Sequence, residues 1–86
     1  MRTPSDPVAR LAKLEAARAG VEPGEVFNAD QTATIVGMSW RALKAWIADD
    51  PNFPVVTRGS EGVPWQLDAA AVLDHMIVSA RTVQAD

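Results

Sequence analysis

The side chains best placed to do chemistry in this sequence are cations. Arg41 and Lys44 sit three residues apart in the run Ser39-Trp40-Arg41-Ala42-Leu43-Lys44-Ala45-Trp46-Ile47-Ala48. On a helix they share a face with Ala45 and Ala48. Two cations among small residues suit close approach to a DNA groove, because the backbone can come near while the charges reach out. Arg58 stands at the base of a Gly-rich stretch, Arg58-Gly59-Ser60-Glu61-Gly62, where a cation can serve a phosphate or a minor groove. Other combinations lead nowhere catalytic. Asp49 and Asp50 are neighbours at an expected helix end, are read as solvated, and have no base or nucleophile beside them. His75 is the single histidine of a chain without cysteine, so no metal set forms around it. Residues 59–62 lack the spacing and the lysine of a phosphate-binding loop. The expectation is a protein without enzymatic activity, cofactor or metal.

The elements that must position these residues follow from turn formers and apolar spacing. Residues 5–20 read as a helix capped by Ser5 or Asp6, with Pro7 in the first turn and Gly20 at the exit. Its stripe of Val8, Leu11, Ala12 and Leu14 is narrow, and Asp6 with Arg10 and Glu15 with Arg18 fall at helical pair spacing. Such a helix needs a partner surface, and pairing with a second copy is the favoured one, with capping of the following domain as the other. Residues 21–25 contain Pro23 and Gly24 and read as a linker. Asn28 with Gln31 forms a capping-box pattern for a short helix that Gly37 ends. Ser39 then caps the helix bearing Arg41 and Lys44, which stops at Asp49-Asp50-Pro51.

Between these two helices, Ala33, Gly37, Leu43 and Trp46 supply in order a small residue at a close crossing, a left-handed turn, and two large residues packing back. Trp40, Leu43 and Ile47 share the inward face of the second helix, with Trp46 alongside. Trp40, Trp46 and Trp65 are all expected in the core. Residues 55–57 and 63–67 read as a hairpin whose tip is 58–62, and Pro64 restricts its strand to an edge. Asp68 caps the last helix, where Val72, Leu73, Met76 and Ile77 form the apolar stripe. The fold class expected is mainly α with a small β-hairpin wing, a winged helix-turn-helix preceded by an N-terminal helix. Its parts are residues 1–25 as helix and linker, 26–80 as the DNA-binding domain, and 81–86 as a flexible tail.

Length and charge bound the function. With 86 residues the chain holds one domain with one modest core. No apolar stretch is long enough for a membrane span or a signal-peptide core, so a cytoplasmic protein without a membrane partner is expected. The formal charge is −3, the wrong sign for holding nucleic acid by bulk attraction. Distribution matters more: within residues 39–60 the cations Arg41, Lys44 and Arg58 outnumber Asp49 and Asp50, which lie at the far end of their helix. Glu61 makes the wing contact a light one, or one made by backbone amides. The positive patch is small, which implies weak binding by one copy and several copies on one DNA.

The run from Phe27 to Ile77 resembles a known family. Gly37-Met38-Ser39-Trp40-Arg41-Ala42-Leu43-Lys44-Ala45-Trp46, then Pro54-Val55-Val56-Thr57-Arg58-Gly59 and Asp68-Ala69-Ala70-Ala71-Val72, look like the N-terminal DNA-binding domain of lambda-type phage small terminase subunits. The likeness covers about three-fifths of the chain. It implies recognition of a packaging site on double-stranded viral DNA by a winged helix-turn-helix dimer or larger homo-oligomer, in the host cytoplasm, and delivery of that DNA to a large terminase subunit. By that likeness Ser39, Arg41, Lys44, Ala45 and Ala48 serve the groove, with Arg58 and Gly59 on the wing. The chain departs from the family in its preceding helix and in Glu61. The same residues are also similar to phage excisionases and MerR-type regulators, which would make it a regulator. A third alternative is a protein-interaction module that binds no DNA.

Overall fold

The computed structural model describes residues 7–85. Ser5 and Asp6, the expected caps of the first helix, and the Asp6 to Arg10 pair lie outside the described residues. Among the described residues the chain is mainly helical, with four α-helices and one small two-stranded antiparallel sheet.

Helix α1 (Pro7–Ala19) is rich in strong helix formers and stops where the Gly20 N–H bonds the Ala17 carbonyl at 3.0 Å. It packs along α4 (Ala69–Ala85), with Leu14 buried and Leu11, Ala17 and the following Val21 against the core. Val8, expected in the stripe, is 70% exposed. Glu15 and Arg18 do not pair with each other, as their spacing suggested. Arg18 Nε donates to Asp74 Oδ1 at 2.9 Å and Arg81 donates to Glu15, so both ions reach across to α4 and the two helices run antiparallel. A cross-helix partner wins because the inward face of α1 is held against α4 by its apolar residues. Residues 81–85, expected as a tail, continue α4.

The sheet joins β1 (Val26–Phe27) to β2 (Leu67–Asp68), with Val26 opposite Asp68 and Phe27 opposite Leu67. It closes residues 28–66 into a loop of structure anchored by Leu67, which is fully buried. Asp68 works twice: Oδ1 accepts the Ala71 N–H at 3.2 Å, the expected cap of α4, and Oδ2 accepts the Gly24 N–H at 3.0 Å. The segment read as a linker is therefore pinned. A two-residue strand is too short to leave a periodic signal.

Within that loop, α2 (Ala29–Val36) begins with both bonds of the Asn28–Gln31 capping box, at 2.8 and 3.1 Å. It ends at Gly37, whose φ of 75° is left-handed, with the Met38 N–H returning to the Ala33 carbonyl. Two residues later α3 (Trp40–Asp49) starts from Ser39, whose Oγ accepts the Ala42 N–H at 3.1 Å. Thr32 is fully buried, and its hydroxyl donates to the Asn28 carbonyl at 2.8 Å.

The core differs from expectation in its chemistry. Leu43, Ile47, Leu67, Val72 and Leu73 are the deeply buried residues, with Leu14, Val36, Phe53, Met76 and Ile77 around them. Trp40, Trp46 and Trp65 are only half-buried and pack on the rim. An indole is too large to enclose easily in so short a chain, and its N–H needs a partner, so branched aliphatics fill the centre instead.

The expected hairpin is present only in outline. Isolated antiparallel bridges join Thr57 to Gln66 and Ser60 to Val63, both in one register, and no continuous strand links them. The two bonded pairs stand three residues apart on each arm, an odd spacing that the alternating bonds of one antiparallel ladder do not allow, and Pro64 has no N–H to donate between them. The turn itself is tight: the Ser60 and Val63 backbones exchange bonds at 3.0 and 2.9 Å, and Gly62 takes a φ of 78°. Arg58 and Gly59 belong to the arm below this turn and not to its tip.

Candidate nucleic-acid interface

Helix α3 is held by one side and open on the other. Leu43 and Ile47 face the core, Trp40 and Trp46 flank them, and Arg41, Lys44, Ala45 and Ala48 are all exposed. The sequence order alone dictates this, because the buried residues recur at the helical period and the cations fall between them. Among the described residues neither Arg41 nor Lys44 has an ion-pair or hydrogen-bond partner. Ser39 is also exposed; its Oγ is occupied as the cap acceptor, which leaves its O–H to donate outward.

The hairpin is docked on the start of this helix through two tryptophans. Trp65 meets Trp40, the first residue of α3, edge to face at a centroid separation of 5.2 Å and an interplanar angle of 70°. Arg58 then lies over Trp65, its guanidinium carbon 5.9 Å from the ring centroid. An exposed arginine normally samples many rotamers, and an aromatic face beneath it restricts them. Arg58 is thereby tied through Trp65 to the helix end that carries Arg41. Thr57 Oγ1 and Gln66 Oε1, 2.7 Å apart, close the base of the arms.

Gly59 proves to be a spacer under Trp65. A Cβ built on it would stand 2.1 Å from Trp65 Cδ1, so no larger residue fits without moving the indole. Gly59→Ala is expected to cost about 1–3 kcal/mol, in the range of overpacking substitutions. It should also free Arg58. A lowered midpoint of thermal unfolding together with a red-shifted tryptophan emission would register both effects, and an unchanged spectrum would contradict this packing.

Asp50 departs most from its reading as a solvated acid. It caps the end of α3, accepts the Asn52 N–H on Oδ1 at 3.0 Å, and receives the Trp46 indole N–H on Oδ2 at 3.3 Å. His75 Nε2 from α4 lies 2.7 Å from the same Oδ2. The bond from His75 lowers the Asp50 pKa below the ordinary carboxylate value, and the Asn52 N–H adds to it. Asp49 is exposed, as expected. Nothing in the spacing of Asp50 and His75, twenty-five residues apart, could have paired them.

Among the described residues there is no group of three side chains able to hold a metal ion. The exposed face of α3 offers small residues, two cations and an oriented third cation nearby, which is the equipment for charge-assisted contact with phosphates and for bidentate contact with a base edge. No protein-family model, characterised protein or solved structure matches the chain.

Proposed function

We propose that this chain is a non-enzymatic, sequence-specific DNA-binding module of the winged helix-turn-helix type, with α2 and α3 as the helix pair, α3 as the groove-entering helix and the 55–67 hairpin as the wing. The observation that carries the reading is the exposed face of α3, where Arg41 and Lys44 stand unpaired among alanines while the opposite face is locked into the core. The Trp40, Trp65 and Arg58 stack supports it, because it places a third cation in fixed relation to that helix.

A duplex titration across salt concentration tests the reading. Three contacting cations predict that the logarithm of the affinity falls against that of salt concentration with a slope of about −3. Absence of binding to any duplex at low salt would overturn it, and is what a pure protein-interaction module would give.

Within DNA binding, the resemblance to lambda-type small terminase subunits supports recognition of a viral packaging site in the host cytoplasm and delivery to a large subunit. Co-purification with a large terminase subunit is the expected result. Binding to a promoter or attachment site without that partner would instead favour the excisionase-like or MerR-like role. The smallness of the patch supports action as several copies. Leu14 of α1 is already buried in its own chain, which leaves Val8 and Ala12 as the exposed part of the stripe on that helix.

A further inference from the structure

We propose that the Asp50–His75 pair is a positioning clasp for α3, setting the angle at which Arg41 and Lys44 meet DNA; this rests on the DNA-binding reading given above. The two ends of α3 are held differently. At its start the Trp40–Trp65 contact docks the hairpin arm, whereas at its end one carboxylate gathers three segments: Trp46 of α3, Asn52 of the following turn and His75 of α4. His75 is itself flanked by rings and half-buried, with Phe53 edge-on at 5.0 Å and Trp46 at 6.3 Å between ring centroids. The rings restrict where the imidazole can go, so the bond to Asp50 is a bond of fixed direction.

The pair spans the two elements whose relation decides how α3 is presented. Leu43 and Ile47 hold α3 against the core by non-directional packing, which permits small sliding and rotation. A charge-assisted hydrogen bond at the end of the helix removes that freedom. The neighbouring charged groups do not compete for the site. Asp49 precedes Asp50 and is exposed, and Asp74, next to His75 on α4, is engaged by Arg18 of α1.

The clasp is measurable by NMR at the Asp50 side-chain carbon and the Trp46 indole N–H that it accepts. Full-length wild type, His75→Ala and His75→Gln are compared, each first verified as folded by circular dichroism. The probes are a duplex selected by the wild-type protein from fragmented genomic DNA and a random-sequence duplex of the same length. His75→Ala should lower the ratio of selected to random affinity about fivefold, a size usual for residues that act through a packed neighbour. His75→Gln, which keeps an N–H donor toward Asp50, should restore it to within about twofold. In parallel the Asp50 side-chain carbon should titrate at lower pH in wild type than in His75→Ala, and one indole N–H signal should shift between them. A specificity ratio unchanged by His75→Ala overturns the positioning role. An Asp50 titration that does not move overturns the clasp itself, and a wild type that binds neither duplex overturns the DNA-binding reading while leaving the Asp50 titration to decide whether the clasp exists.

Discussion

Replacing Arg41 and Lys44 together by alanine is expected to weaken binding to the recognised duplex by about 2 kcal/mol or more, roughly thirtyfold, with no loss of folding. The magnitude follows from one bidentate base contact, which carries about 1–3 kcal/mol of discrimination, together with a lost phosphate contact. The sparing of stability follows from their surroundings. Both side chains are exposed, neither is bonded to another described residue, and alanine is the better helix former at each position. The single variants should separate in kind. If Arg41 reads a base edge, Arg41→Ala lowers the preference for the selected sequence. If Lys44 serves a phosphate, Lys44→Ala weakens all duplexes alike and lowers the salt slope by about one. Equilibrium anisotropy titrations at matched salt give both quantities. A double variant that binds like wild type would remove α3 from the interface.

The second large effect is expected at Leu43, the residue behind those cations. Leu43→Ala should destabilise the chain by about 3 kcal/mol, within the 2–5 kcal/mol usual for fully buried leucines. Leu43 has no exposed surface and sits in the cluster formed with Ile47, Leu67 and Leu73. A domain of this size has only about 5–10 kcal/mol of stability to lose. The thermal midpoint should therefore fall by about 15 °C, read by circular dichroism, and the urea midpoint should fall with it. A midpoint within a few degrees of wild type would contradict the burial of this side chain.

The acid limb of stability offers a check of smaller size. Asp50 is held below its ordinary pKa in the folded chain, so its contribution is present above the usual carboxylate range and is lost as pH falls through the lowered value. Wild type should accordingly exceed His75→Ala in stability by its full margin above about pH 4, with the two converging as the pH falls through the lowered value and Asp50 is protonated in both. A stability gap between the two, followed by urea unfolding from pH 7 downward, that does not narrow in acid would mean that His75 gives Asp50 no protection.

Much of the α3 region was legible because its signals are local. The Asn28–Gln31 box, the left-handed Gly37 and the Ser39 cap each act over three or four residues, and all three occur as read. The face bearing Arg41, Lys44, Ala45 and Ala48 followed from the helical period once those limits were set. The tryptophans were misplaced for a related reason. Spacing shows which side of a helix turns inward, but not how deep that side lies, and an indole stops at the rim where its N–H can still be satisfied.

The cations on α3 and the caps that start and stop the helices around them were determined by the sequence itself, because backbone hydrogen bonding and the helical repeat settle them within a few residues. What only the tertiary structure decided are the long-range choices: α1 against α4, Arg18 to Asp74 and Arg81 to Glu15, Trp65 between Arg58 and Trp40, and Asp50 beneath His75. Each joins residues far apart in the chain, and each was chosen by which apolar surfaces could be buried together, with the polar partners taking the positions that this packing left them.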